Sequence, residues 1–287
     1  MSNPTNRELA DFLRRARADV DADSAGLPAD GRIRRVKGLR REEVAFLAGV
    51  STDYYTRLEQ GRRIVPSAGV LDALARALRL DAAGRAHLDD LVGSTAARPR
   101  RTAPVQRVRP GLRQLVEAMD GQPALVLGRR TDVLATNRLA RALFADFDAM
   151  PAAQRSYARW VLLDDAAREL FVDWEVQARA AVESLRLEVG RAGQDRATDA
   201  LVAELAARSP EFAAWWEEHR VFQRTSGSKR LRHRVVGDLT VEYETLTLPG
   251  DVDQTLFLYS AEPGTSSDEA LRMLASWVAP EPGRVRG

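Results

Sequence analysis

Apolar residues recur at helical spacing over most of residues 1–92. Leu9, Phe12, Leu13 and Ala16 share one face, which predicts a helix over 7–20. Gly26, Pro28 and Gly31 break the pattern over 21–31, predicting a loop. Helices are predicted next over 40–48, 51–60 and 67–79. Val70, Leu71, Leu74, Ala77 and Leu78 form the stripe of the last of these, and Pro66-Ser67 marks its start. A short helix follows over 81–92. Periodicity then vanishes over 93–111, a stretch with Pro99, Pro104 and Pro110, five Arg and no acid, which reads as a linker.

Beyond the linker the pattern is mixed. Short strands are predicted over 124–128 and 133–136, a helix over 137–147, and a long helical stretch over 152–190. Helices follow over 197–208 and 211–218, with Ser209 as cap before Pro210. Ser226-Gly227-Ser228-Lys229 reads as a turn. Strands are predicted over 230–236, 239–248 and 254–261. In the second, Val241, Tyr243, Thr245 and Thr247 alternate with Glu242 and Glu244. A helix over 267–278 closes the pattern. The chain is therefore mainly α with α+β. It divides into an all-α domain over 1–92, a linker over 93–111, an α+β domain over 112–280 and a tail over 281–287.

Composition narrows the chemistry. The 287 residues are 45% hydrophobic and include no Cys, which rules out disulfides, thiolate metal sites and a cysteine nucleophile. No apolar run approaches the roughly 20 residues of a membrane span. The polar start leads directly into a helix, so the expectation is a bacterial-style cytoplasmic protein without a membrane role. Residues 1–113 carry 22 basic and 14 acidic side chains, whereas residues 114–287 carry 21 and 27. A basic front and an acidic back suit a nucleic-acid module joined to a part that does not touch DNA. All but two of the basic residues are Arg; the lysines are Lys37 and Lys229. His87, His219 and His233 lie far apart, no metal-ligand spacing or GxSxG elbow occurs, and no enzyme or cofactor is expected.

The segment 38–61 has the pattern of a helix-turn-helix. Leu39 with Val44, and Val50 with Tyr55, are spaced as hydrophobic staples around a Gly49-Val50-Ser51 turn. Ser51 is a good N-cap, while Arg40 is a weak one. On a helical wheel Thr52, Asp53, Thr56, Arg57 and Gln60 share one polar arc, with Tyr55 and Leu58 opposite. Such an arc is what a major groove reads. Arg57 has the geometry for guanine O6 and N7, and Asp53 either accepts from cytosine or orients Arg57. Thr52 can touch a base edge or a phosphate, and Thr56 on the same arc and Ser51 at the helix start are further candidates for DNA contact. Arg41, at the start of the preceding helix, is a phosphate candidate, as are Lys37, Arg62 and Arg63. The plainer alternative is a helical hairpin with a solvated basic face. One such head covers half a site, so a homodimer on double-stranded DNA is expected.

Glu42-Glu43-Val44-Ala45, Ala48-Gly49-Val50-Ser51, Leu58-Glu59-Gln60-Gly61 and Pro66-Ser67 resemble the XRE/Cro-like helix-turn-helix family. The resemblance implies that Glu59 is a structural acid paired with a base of the first helix, for which Arg17 is the candidate. The stretch 124–137, with Asp173-Trp174-Glu175, Gly237-Asp238-Leu239 and Asp253-Gln254 through Gly264, resembles the MmyB-like ligand-binding domain. That resemblance implies a PAS-like fold and a small apolar, fatty-acyl-like ligand. It also leads one to expect Trp where this chain has Thr131 and Thr136. A PAS-like sheet under helices leaves an apolar pocket. Its candidate lining includes Trp174, Trp215, Phe222 and Tyr243, with Trp160, Phe171, Trp216 and Phe257; each serves equally as plain core. Arg179 and Arg186, seven apart on one helix face, are candidates for a ligand carboxylate or are solvated arginines. The rival is a DNA-binding protein whose C-terminal half is a protein-partner platform, antitoxin- or phage-regulator-like.

Overall fold

The computed structural model describes residues 4–21, 38–62, 64–93, 106–192, 196–251 and 253–279. The front domain contains helices α1 (Pro4–Asp19), α2 (Arg41–Leu47), α3 (Thr52–Glu59), α4 (Ala68–Ala77) and α5 (Ala82–Gly93). Leu13, Leu39, Val44, Tyr55, Leu58, Leu74 and Leu88 interlock at its centre. The apolar stripes therefore meet as their periodicity requires. Ser51 Oγ accepts from the Tyr54 amide at 3.1 Å, and Ser67 Oγ from that of Val70 at 3.4 Å, so both predicted caps form. Gly49 takes φ +65° in the α2–α3 turn, a conformation costly for other residues. Gly38 lies against the end of α1. A Cβ there would stand 2.5 Å from the Arg17 carbonyl oxygen. Only glycine allows the chain to return that closely and lets the Leu39 amide bond Arg17 O at 3.1 Å.

The rear domain is built on one antiparallel sheet of strands β1 (Ala124–Leu127), β2 (Val133–Thr136), β3 (Ser226–His233), β4 (Gly237–Thr247) and β5 (Thr255–Ser260), in the order β2-β1-β5-β4-β3. Between β2 and β3 run α7 (Arg138–Leu143), α8 (Tyr157–Leu163), α9 (Asp165–Leu170), α10 (Trp174–Ala192), α11 (Arg196–Arg208) and α12 (Pro210–Glu217). Helix α6 (Pro110–Glu117) precedes the sheet and α13 (Ser266–Trp277) follows it. This is the PAS-like α+β arrangement expected behind an all-α head. Leu125, Leu231, Leu239, Val241, Tyr243, Phe257 and Tyr259 face the helices. Val126, Ala135 and Leu256, on the other face, pack with Val108 and Val116. β1 is buried on both sides, which explains its unbroken apolar run.

Several boundaries differ from the sequence expectation. The stretch 152–190 is not one helical run. Asp164 Oδ1 accepts from the Ala166 amide at 2.9 Å and starts α9 afresh, and at 171–173 the chain pairs with β3 through Val172 N to Arg230 O, 3.0 Å. The helix predicted over 137–147 ends at Leu143. Ser226–Lys229, read as a turn, belongs to β3: pairing with the long β4, including Gly227 opposite Tyr243, overrides the local Ser-Gly-Ser preference. Gln106–Arg109, inside the expected linker, lie against the rear domain: Gln106 Oε1 accepts from the Arg129 amide at 2.7 Å, and Arg109 pairs with Asp251 at 2.5 Å. Thr131, at φ +58°, is buried and its hydroxyl accepts from the Ala158 amide at 3.0 Å. Thr136 is also buried, its hydroxyl 3.4 Å from Asp148. The two threonines thus serve hydrogen bonding at places where the resemblance led one to expect Trp.

Candidate functional site

The helix-turn-helix half of the head is assembled around one buried acid. Glu59, at the end of α3, has a side chain that is 0% exposed. Arg17 of α1 grips it with two bonds, Nε to Oε2 at 2.8 Å and Nη2 to Oε1 at 3.0 Å, and uses Nη1 to hold the Leu39 carbonyl at 2.7 Å. Arg41 of α2 adds a third bond, Nε to Oε1 at 2.9 Å. Burial alone would raise the Glu59 carboxyl. The hydrogen bonds and charge of Arg17, then those of Arg41, outweigh it and hold the group below the usual carboxylate range. Three helices are thereby fixed at one point, and α3 is held at a set angle to the rest.

That angle exposes Ser51, Thr52, Asp53, Arg57 and Gln60, with Thr56 half-buried beside them, while Tyr55 and Leu58 enter the core. The Arg57 side chain is 50% exposed and stands 3.8 Å from Asp53, one turn earlier. The acid therefore restrains the arginine on the outer face. Arg62 is exposed just beyond α3. Arg41 keeps 46% of its side chain exposed although Glu59 orients it. Spacing did not reveal this anchor; it exists because α2 and α3 cross near the end of α1. Glu43 Oε2 accepts from the Arg40 amide at 2.7 Å, which compensates for the weak cap at Arg40. Lys37 and Arg63 lie outside the described residues.

The expected ligand residues separate into two groups. Trp174, Trp215, Arg179 and Arg186 lie on α10 and α12. Trp174 Nε1 donates to the Val161 carbonyl at 2.7 Å and its ring carries the Arg168 guanidinium at 3.8 Å. Arg179 holds Glu218 through bonds of 2.6 and 3.0 Å beside the Trp215 ring. Arg186 is buried on the Trp216 ring at 4.0 Å, donates to the Trp216 carbonyl and meets His219 Nδ1 at 3.0 Å. Burial pushes its guanidinium down to about 10. Both arginines thus already have partners. Phe222 is exposed at the edge, its amide 3.4 Å from Glu183 O.

Tyr243 belongs to the second group, on the inner face of the sheet. It stands among Phe257 and Tyr259, each 6.0 Å from it ring to ring. Trp160, Phe171, Tyr157 and Phe144 pack ring against ring on the helix side of the same core, and Phe144 meets Tyr259 at 4.9 Å. Two cations lie in this aromatic shell, Lys229 of β3 and Arg224 just before it. Sequence reasoning passed over both. The signal was present for Lys229, since counting back by two from buried Leu231 puts it on the inner face, but the turn reading hid the period.

Helix α10 links the two domains. Ala178, Ala181, Val182 and Leu185 lie in the core of the rear domain. Further along, Gly190 receives the His87 ring of α5, and a Cβ there would meet Nδ1 at 2.5 Å. Among the described residues no group of acids and histidines could hold a metal ion, and no helix is long and apolar enough to cross a membrane.

No curated protein matches the chain significantly. A helix-turn-helix domain model matches residues 8–88. A model described as the MmyB-like transcription regulator ligand binding domain matches residues 108–274, more than half of the chain. With an α3 face ready for a groove at one end and a PAS-like sheet at the other, the chain belongs to the MmyB-like transcription regulators, DNA-binding proteins that carry a ligand-binding domain.

Proposed function

We propose that the chain is a sequence-specific, one-component regulator whose rear domain senses a small apolar, fatty-acyl-like molecule. Ser51, Thr52, Asp53, Thr56 and Arg57 read base edges in the major groove, while Arg41, Arg62, Arg63 and Lys37 grip phosphates. Two heads act together as a homodimer on a near-palindrome with half-sites about one helical turn apart. The observation that carries the reading is α10, one helix packed into the aromatic sensor core and against α5 of the head. A ligand that shifts α10 changes how the head is held, and binding of ligand and DNA are then linked.

The test is a thermal-shift screen of the full chain against medium- and long-chain fatty acids, followed by DNA affinity with and without each hit. At about 100 times its dissociation constant a ligand adds roughly 2.7 kcal/mol to stability. Stabilisation together with a changed DNA affinity supports the sensor. No stabilisation by any apolar molecule hands the rear domain to a protein-partner role. For that role the exposed Met273 and Trp277, one turn apart on α13, supply an apolar surface.

A further inference from the structure

Between the head and the rear domain lies an open cleft of about 610 Å³, a volume of the order of small-molecule sites. Its head wall is the end of α1 and the α4–α5 turn, where Phe12, Val20, Leu78 and Leu80 form an apolar floor. Its rear wall is Glu183 of α10 and the chain just after α12. There His219 takes φ +53°, the helix stops, and Arg220 and Val221 come to face the end of α1. A second cleft of about 550 Å³ adjoins the first and shares Arg15, Asp19, Glu218 and Arg220 with it. None of these residues belongs to the aromatic core of the rear domain.

Charges of both signs line the cleft, and they are answered unequally. Glu218 receives two bonds from Arg179, and Asp81 Oδ1 accepts from the Gly84 amide at 2.7 Å. Glu183 is half-buried, and among the described residues its carboxylate accepts no hydrogen bond. Burial raises it from its ordinary value, while Arg179, Arg220 and Arg224 act on it through charge alone. Arg220 stands 3.5 Å from Glu218 without a hydrogen bond. Arg15, on the head wall, donates to no described residue, and its charge is felt at His219. A carboxylate stripped of water gains from a donor, and a guanidinium offers a planar fork that fits a carboxylate. The cleft therefore holds an acid and two bases with spare bonding capacity beside an apolar floor. A simple anion would meet Glu183 and Asp19, and a simple cation would meet Arg15 and Arg220. A molecule that carries both charges avoids either repulsion.

We propose that this cleft is a second effector site, which takes a free α-amino acid with an apolar side chain. Glu183 receives the ammonium, Arg15 and Arg220 receive the carboxylate, and the side chain lies on Phe12, Val20, Leu80 and Val221. The site is separate from any molecule held inside the rear domain and does not depend on one. Arg15 belongs to the head, whereas Glu183 and Arg220 belong to the rear domain. The bound molecule therefore bridges the two and holds the head where it docks. Its occupancy is linked to DNA binding without passing through the sheet.

The test uses three probes of one shape, by titration calorimetry on the full chain at neutral pH. They are phenylalanine, hydrocinnamate, which lacks the ammonium, and phenethylamine, which lacks the carboxylate. Phenylalanine is expected to bind at least about tenfold more tightly than either of the others, the scale of a charge-assisted hydrogen bond. Glu183→Gln is expected to cancel its advantage over hydrocinnamate. Arg15→Gln and Arg220→Gln are each expected to reduce its advantage over phenethylamine. Binding of none of the three, or binding of a singly charged probe as tightly as phenylalanine, overturns the proposal. An advantage that persists in the corresponding folded variants overturns it as well, because the molecule then sits elsewhere. The wild-type comparison decides even if a variant fails to fold.

Discussion

The molecule buries charge in two places and handles it in opposite ways. In the head, one acid is enclosed by two arginines: Glu59 receives three bonds from Arg17 and Arg41, and the cluster is complete. In the rear domain, two cations share one glutamine, and the acid that acts on Arg224, half-buried Glu183, does so through its charge, without an ion pair among the described residues. The first arrangement fixes three helices and is finished when the chain folds. The second leaves a lysine and an arginine near each other, answered by a glutamine and by ring faces. A buried charge is therefore a scaffold where its partner is built into the fold, and a cost to stability where it is not.

The sharpest break of this contrast is a pair of stability measurements. Glu59→Ala leaves Arg17 half-buried without its acid and is expected to cost about 3–5 kcal/mol in chemical denaturation. Lys229→Met removes an unanswered charge of similar length and should be close to neutral or stabilising. If the lysine variant loses as much as the glutamate variant, the sensor cluster is structural after all.

Arg57→Ala is the next in size. Specific DNA binding should weaken by about 1–3 kcal/mol with relaxed preference at one base pair, measured by fluorescence anisotropy on matched and mismatched sites. Arg41→Ala should instead weaken binding to all sequences and make the salt dependence shallower by about one unit. Because Arg41 also holds Glu59, that variant should lose some stability, though less than Arg17→Ala. An Arg57→Ala loss that is equal on random DNA would remove α3 from the groove.

Gly190→Val tests the link between the domains. The added side chain would drive into the His87 ring, and overpacking of this kind costs about 1–3 kcal/mol. Calorimetry should show the head melting separately from the sensor, and DNA affinity should stop responding to sensor ligands. A single transition with intact response would mean that α10 is not the connection.

The smallest effect concerns pH at the same junction. Burial, then the charges of Arg186, Arg15 and Arg14, push His219 down to about 3. The unfolded chain takes up a proton near the ordinary value of about 6.5, whereas the folded one resists until about 3. Stability is thus fully present above about 6.5 and is lost as pH falls toward 3. Glu8, exposed at its rim yet with its carboxyl raised by desolvation from the groups packed around it, works in the opposite sense. The informative quantity is therefore the difference between wild type and His219→Gln in melting temperature against pH. Parallel curves would show that His219 carries none of the dependence.

The head was the more legible half. Its staples, caps and polar arc are local, set by residues three and four apart, and a short helix obeys such spacing closely. The staple residues Leu39, Val44 and Tyr55 are buried as their positions implied, and Arg17 is the partner of Glu59 that the resemblance named. The second arm, Arg41, was not visible as a partner, because its approach to Glu59 depends on how α2 crosses α3. In the sensor, Asp164 broke a helix that periodicity would have continued, since a capping side chain competes locally with a helical stripe. Arg179 and Arg186 were correctly read as sharing a helix. What occupies each one, Glu218 for the first and Trp216 with His219 for the second, comes from α12 and its end, far along the chain.

The amino-acid sequence by itself determined the two domain types, the strands with alternating pattern and the outward face of α3, because each follows from periodicity within one element. Tertiary structure decided where Lys229 went. Its neighbours Ser226, Gly227 and Ser228 favour a turn, and only the hydrogen-bonded ladder with β4 makes them a strand and turns the lysine inward. It likewise decided that Arg224, Tyr157 and Trp160 surround that lysine, since they come from separate elements. Local preference sets which element forms; the neighbours a side chain meets depend on contacts between segments distant in the chain, which no local pattern records.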